Sequence, residues 1–228
     1  MIYYDKVSKI YSNSHSATAL RDISFAVEPK EFVSIVGQSG AGKTTLLKLL
    51  IAEDKPTEGK VFFGSVDVNS LPKKELPALR RRIGVIFQDF RLLPNKTIYE
   101  NISFAMEAAG RSDDEIADDV PQVLELVNLS EKSWNFPHEL SGGERQRVGI
   151  ARAIVNQPDV VIADEPTGNL DPLNTWEIIQ ILRKINELGT TILMATHNKG
   201  VIDSLRKRVI TIEDGRITRD DRDGRYVL

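Results

Sequence analysis

The stretch that decides the fold is Phe32-Val33-Ser34-Ile35-Val36-Gly37-Gln38-Ser39-Gly40-Ala41-Gly42-Lys43-Thr44-Thr45. A β-rich run at 32–36 ends in a glycine-rich turn. Residues 43–53 then carry Leu46, Leu47, Leu49, Leu50 and Ile51, a broad apolar helical face. Gly37 and Gly42 have four residues between them and are followed by Lys43 and Thr44, the phosphate-loop pattern in its strand-then-helix context. Glycines let backbone N–H groups converge on phosphate oxygens. The helix start adds its positive dipole end, Lys43 a point charge for the β- and γ-phosphates, and the Thr44 hydroxyl a ligand for Mg²⁺. The sequence therefore predicts a nucleotide-binding loop made of Gly37, Gln38, Ser39, Gly40, Ala41, Gly42, Lys43, Thr44 and Thr45.

Such a loop needs a second strand that brings carboxylates. Val160-Val161-Ile162-Ala163-Asp164-Glu165 is an apolar run that delivers two acids at its carboxyl end, the edge where open α/β sheets bind ligands. Acids often follow buried strands, so the pair acquires meaning only beside the phosphate loop. With it, Asp164 is expected to hold Mg²⁺ through water, and Glu165 to polarise the attacking water.

Further β-rich runs lie at 2–7, 23–27, 60–63 and 191–195. Between residues 90 and 156 the character becomes helical. Ser112 to Glu115 reads as a capping box ahead of Ile116, Val120, Val123, Leu124 and Val127, and Pro121 is expected to start or kink a helix. After Asp159 strand and helix alternate again, one helix running through Ile178, Ile181, Leu182 and Ile185 to a stop at Gly189. That alternation predicts a parallel sheet covered by helices. Asp214-Gly215 and Asp223-Gly224 read as hairpin turns. Arg80, Arg81 and Arg82 read as a solvated helix end favoured by the dipole.

The chain has 228 residues, 41% hydrophobic and 28% charged, an ordinary globular composition. With 30 basic against 33 acidic residues the net charge is −3, so no basic field recruits nucleic acid or anionic lipid. The absence of cysteine excludes disulfides, thiolate metal sites and cysteine nucleophiles, and fits a reducing cytosol. There is no apolar run of about 18 residues and no signal-peptide pattern, so the chain is expected to be soluble by itself.

Leu140-Ser141-Gly142-Gly143-Glu144 followed by Arg145-Gln146-Arg147 resembles the signature of the ABC family, which other phosphate-loop families lack. Physically, Ser141 opens a helix with Val148, Ala151, Ile154 and Val155 turned inward, a second anion-seeking helix start. The resemblance implies that Ser141, Gly142, Gly143 and Glu144 cap the γ-phosphate held by a second copy. Alone, Gln88 would read as a solvated loop residue, Asp171 as a helix cap and His197 as structural. In series they resemble the family's Q-loop, D-loop and switch histidine. By that resemblance Gln88 senses Mg²⁺ and the attacking water, Asp171 crosses the dimer interface and His197 contacts the γ-phosphate. Tyr11 stands where ABC modules stack an aromatic ring on adenine, though a tyrosine closing a strand also suits packing. His15 and His138 match nothing and are expected to be structural.

The resemblance implies an α/β phosphate-loop NTPase fold with a mixed sheet core, an N-terminal antiparallel β subdomain and an inserted helical subdomain. On that reading residues 1–228 form one nucleotide-binding domain, with 1–88 and 157–228 as core and 89–156 as the helical insert. ATP and Mg²⁺ are the implied cofactors, and a homodimer the implied assembly. The stretch from Phe87 to Ile102 and the ending from Ile212 to Ile217 through Arg219 and Asp220 resemble the bacterial cell-division branch of the family, and Ala163 to Pro172 adds support that the lipoprotein and macrolide exporters share. That branch implies an FtsX-like integral membrane partner, control of cell-wall hydrolases and a peripheral place on the cytoplasmic face of the membrane. Phe90, Leu92, Leu93 and Tyr99 are then candidates for the groove that receives the partner's helix, or for the helical subdomain's own core. The rival readings are an exporter ATPase for lipoproteins or macrolides, a soluble ABC engine acting on nucleic acid or ribosomes, and a regulatory subunit that does not hydrolyse ATP. A single phosphate loop without long inserts disfavours the second, and Glu165 with His197 disfavours the third.

Overall fold

The computed structural model describes residues 2–12, 16–222 and 224. In chain order its elements are β1 (Ile2–Ser12), β2 (Ser16–Val27), β3 (Phe32–Val36), α1 (Lys43–Leu50), β4 (Glu58–Phe63), β5 (Val66–Asp67), α2 (Leu76–Arg81), β6 (Ile83–Ile86), α3 (Ile98–Glu107), α4 (Asp113–Leu126), α5 (Gly142–Ile154), β7 (Val160–Asp164), α6 (Pro172–Glu187), β8 (Thr191–Ala195), α7 (Lys199–Leu205), β9 (Arg208–Glu213) and β10 (Arg216–Asp221). The chain divides into two compact units, residues 1–80 with 191–228, and residues 81–190.

In the first unit β1 pairs antiparallel with β2 and β4. Every residue of β3 is buried, which suits a strand that pairs in parallel on both sides, with β8 and with β9. The β9–β10 hairpin turns through Asp214 and Gly215, both at positive φ (47° and 74°), as the Asp-Gly pair predicts. Asp223 and His15 lie outside the described residues. Helix α1 ends at Leu50, earlier than its apolar pattern suggests. Ala52 adopts φ 50°, its N–H bonds to the Leu49 carbonyl at 3.2 Å, and the Glu53 N–H reaches the Lys48 carbonyl at 3.0 Å, a paired closure of the helix end. Arg80 adds to that closure by donating to the Ile51 and Ala52 carbonyls at 3.0 and 3.2 Å, so it caps α1 rather than merely pointing into water. The buried Tyr4 stacks on Phe25 at 4.7 Å and donates its hydroxyl to the Leu46 carbonyl, tying the antiparallel sheet to α1.

In the second unit β6 and β7 pair in parallel, and α3, α4, α5 and α6 supply an apolar core that includes Ile98, Ile102, Val120, Leu124, Val148, Ile150 and Leu182. Three helices open on capping boxes: Thr97 with Glu100, Ser112 with Glu115, and Ser141 with Glu144. Pro121 lies inside α4 and does not begin or end it. It is exposed, and the nearby Asp118 carbonyl accepts from Gln122 Nε2 at 3.1 Å, so one carbonyl of that turn keeps a donor. Among the described residues no helix is long and apolar enough to cross a membrane.

The Glu115 carboxyl accepts from the Ser112 backbone N–H and hydroxyl, with Arg111 close by, and these hold its pKa below the usual carboxylate range against the effect of desolvation. A lowered folded-state pKa means the stabilisation is present above the unfolded value, near 4.3, and is lost as pH falls through the folded value. Glu115→Gln should therefore lower the unfolding temperature by about 1–3 °C at pH 7 and by less near pH 3, as measured by thermal unfolding across that range.

Candidate functional site

Parallel pairing decides where the chemistry of each unit emerges. In the first unit Ile35 stands opposite Ala195, so the loop after β3 and the segment Thr196-His197 after β8 leave the sheet at the same carboxyl edge. The phosphate loop turns there into α1. At its last glycine, Gly42, φ is 105°, and an added Cβ would lie 2.4 Å from the Ala19 carbonyl oxygen and 2.8 Å from the Leu20 side chain. Only glycine fits both the conformation and the space. Gln38, Ser39 and Gly40 are exposed while Ala41, Gly42 and Lys43 are buried. Lys43 Nζ donates to the Gly37 carbonyl at 2.9 Å and the Gln38 carbonyl at 3.1 Å, so the ammonium is turned into the loop itself. Thr44 is exposed at the helix start and Thr45 is half-buried behind it. His197 is exposed. The buried Thr196 before it takes the Ile35 carbonyl through its N–H at 3.0 Å, and its hydroxyl accepts the Asn198 N–H at 3.1 Å.

Tyr11 is half-buried on β1, and its hydroxyl donates to Asp54 Oδ2 at 2.7 Å with Thr45 Oγ1 at 3.5 Å. Lys9 binds the other Asp54 oxygen at 2.6 Å and places its ammonium 4.8 Å from the Tyr11 ring centre. Burial raises the Asp54 pKa, but the hydrogen bonds from Lys9, Tyr11 and the Lys55 backbone outweigh it, and the net shift is downward. Asp54 and Lys9 thus fix the orientation of Tyr11. Neither was singled out from sequence, because 43 residues separate Asp54 from Tyr11 and no local pattern links them.

In the second unit Ile86 stands opposite Ala163, and Gln88 and the pair Asp164-Glu165 likewise emerge at one edge. Asp164 and Glu165 are half-buried, and Glu165 holds φ 47°, a left-handed conformation uncommon for a non-glycine residue. The turn that follows is closed by the Gly168 N–H on the Glu165 carbonyl at 3.1 Å. Gln88 lies across this turn, its Nε2 within 3.5 Å of Asn169 Oδ1. The structure thus brings Gln88 to the loop that begins at Glu165.

The signature turn lies against the start of α6. Ser141 Oγ accepts the Glu144 N–H at 3.2 Å, and the Glu144 carboxylate accepts the Ser141 N–H at 2.8 Å. That backbone bond, assisted by Lys132 and Arg147, lowers the Glu144 pKa against the effect of burial. An added Cβ at Gly143 would fall 1.8 Å from Asn174 Oδ1, and at Gly142 it would be in ordinary contact with Leu170. Gly143 therefore makes room for Asn174. Asn174 in turn donates its backbone N–H to Asp171 Oδ1 at 2.9 Å and its side-chain amide to Asp171 Oδ2. The backbone bond first, then the side-chain bond, holds the Asp171 carboxyl below its ordinary range. Asp171 is exposed and caps α6, so the helix-cap reading of this residue describes its local contacts. His138 is exposed and stacks on Phe136 at 5.8 Å. Phe90, Leu92, Leu93 and Tyr99 are all half-buried; Tyr99 stacks on the exposed Trp134 at 5.2 Å.

Each unit by itself carries an oxygen donor of the kind Mg²⁺ prefers, the Thr44 hydroxyl in the first and the Asp164 carboxylate in the second. Among the described residues no cluster of three or more His, Cys, Asp or Glu forms.

Residues 20–168 match the family model described as ABC transporter. The chain is 52% identical over 226 residues to the cell division ATP-binding protein FtsE of Bacillus subtilis, covering 99% of this chain and 98% of that protein. It is 45% identical over 217 residues to the protein of the same name in Escherichia coli, covering 95% and 97%. Among solved structures it is similar to the dimeric post-hydrolysis state of the ATP-binding cassette MJ0796 bound to ADP and Pi, with 35% identity, a TM-score of 0.89 and coverage of 99% and 100%. A phosphate loop, a carboxylate strand and a signature turn, joined to likeness along the whole chain, lead to one conclusion: the chain belongs to the ABC transporter family and is an ABC-type ATPase.

Proposed function

We propose that residues 1–228 act as one nucleotide-binding domain that binds and hydrolyses ATP with Mg²⁺ as half of a homodimer, and that it serves cell division through an FtsX-like integral membrane partner. What carries the reading is near-complete coverage, at 45–52% identity, by relatives named as cell division ATP-binding proteins. The dimeric cassette bound to ADP and Pi supports the assembly and the chemistry. Tyr11 stacks on adenine, its hydroxyl anchored by Asp54. The loop amides from Gly37 to Thr45 take the phosphates, and Lys43 exchanges its bonds to the Gly37 and Gln38 carbonyls for β- and γ-phosphate oxygens. Thr44 and Asp164 hold Mg²⁺, the latter through water. The cation supplies charge neutralisation for the transferred phosphoryl group.

Glu165 accepts a proton from the attacking water, Gln88 and His197 orient that water and the γ-phosphate, and Asp171 reaches the second copy. Ser141, Gly142, Gly143 and Glu144 of that copy offer the helix start of α5 to the γ-phosphate. The chain then sits peripherally on the cytoplasmic face of the membrane, where the partner controls cell-wall hydrolases. Phe90, Leu92, Leu93 and Tyr99 are proposed to face the partner's helix.

Removing the Glu165 carboxylate while keeping its shape should leave ATP binding intact and slow turnover about 10²–10³-fold, so Glu165→Gln with ATP should accumulate as a dimer in light scattering. Turnover at the wild-type rate would remove Glu165 from the water-polarising role. Lys43→Ala should weaken ATP binding about tenfold or more, roughly 1.4 kcal/mol, because the lost charge faces phosphates in the ground state too. Calorimetry that showed unaltered affinity would count against the cradle.

A further inference from the structure

The segment after β6 takes a turn that its residues do not favour. Phe90 and Arg91 both hold positive φ, 61° and 48°, and neither is glycine. Such a pair persists only where the surroundings over-determine it. Here the surroundings are the side chains of α5. Arg152 Nη2 donates to the Phe90 carbonyl at 2.9 Å, and Nη1 donates to the Arg91 carbonyl at 2.6 Å. Two turns earlier on α5 the buried Gln146 points Nε2 at the Phe87 carbonyl, 3.4 Å away. The aromatic side chains of the segment are covered by guanidinium groups, Arg91 over Phe87 at 3.8 Å and Arg145 over Phe90 at 5.5 Å. At its far end the fully buried Asn101 of α3 accepts the Leu93 N–H at 2.7 Å and donates to the Leu93, Lys96 and Thr97 carbonyls at 3.1, 3.1 and 2.9 Å. Gln88 projects from the stretch between these anchors.

We propose that Arg152 is a positioning residue: its guanidinium fork clamps the Phe90-Arg91 turn to α5, so that Gln88 and the signature turn at the start of that helix are carried by one rigid piece. The inference rests on the reading of Gln88 as the residue that orients the attacking water. A planar fork with separate donors satisfies two carbonyls at once, which a lysine ammonium does less well and a methionine not at all. The clamp acts on the geometry of the chemical step rather than on nucleotide affinity, and that separates it from a role in folding alone.

The test uses the full chain with Arg152→Met, Arg152→Lys and Gln88→Ala. The measurements are kcat, affinity for a fluorescent ATP analogue and hydrogen exchange by mass spectrometry. Arg152→Met should lower kcat about tenfold with affinity changed less than about twofold, and Arg152→Lys should recover part of the loss. Amides of residues 88–93 should exchange faster in Arg152→Met while those of α5 stay protected. In a Gln88→Ala background, Arg152→Met should lower kcat by no more than about a further twofold, since both changes remove the same function. A full, additive loss in that background, or unchanged exchange at 88–93, overturns the clamp. If Gln88→Ala alone keeps wild-type turnover, the reading of Gln88 fails instead, and exchange at 88–93 in Arg152→Met decides whether Arg152 holds the turn.

Discussion

Two parallel strand pairings, β3 with β8 and β6 with β7, govern where the phosphate loop, His197, Gln88 and the Asp164-Glu165 pair emerge. In a parallel pair both strands end at the same edge, so the segments that follow them are neighbours by construction. This is why the phosphate loop and His197 share one edge in the first unit, and why Gln88 and the Asp164-Glu165 pair share one in the second. The apolar content of these strands follows from the same constraint. A strand buried on both faces must be apolar nearly throughout, as β3, β7 and β8 are, and polar chemistry is confined to what comes after the last buried residue.

Within each unit the proposed site residues are held by groups whose own purpose is structural. Tyr11 is fixed by Asp54, which is delivered by the left-handed closure of α1 at Ala52. Asp171 is held by Asn174, for which Gly143 leaves room. Gln88 is carried on a turn pinned from α3 and α5. Such supporting contacts determine how closely a site keeps a productive geometry, because a first layer of residues is only as well placed as the layer beneath it.

Local patterns made the strand–loop–helix start, the apolar strand with its terminal acids, the signature turn and the Asp214-Gly215 hairpin legible, since each is written in consecutive residues. The capping boxes at Thr97 and Ser141 were equally available from their Ser/Thr-x-x-Glu spacing. What stayed hidden depends on residues far apart in the chain. The bond between Tyr11 and Asp54 spans 43 positions, and the bond between Arg152 and Phe90 spans 62. Of the two readings of Pro121, a helix start is ruled out, because the packing of Ile116, Val120 and Leu124 carries α4 through a position that proline propensity opposes. The early end of α1 follows from backbone closure at Ala52, which nothing in an apolar pattern announces.

On the proposed function, the anion-seeking start of α5 in one copy completes the site built by the phosphate loop of another. It is tested most directly by trapping the protein with Mg²⁺, ATP and vanadate, an analogue of the transferred phosphoryl group, then cleaving the chain with ultraviolet light and mapping the cuts. Cleavage is expected both within residues 37–45 and at Ser141. Cleavage confined to the phosphate loop, with the Ser141 region intact in a fully trapped sample, would contradict it.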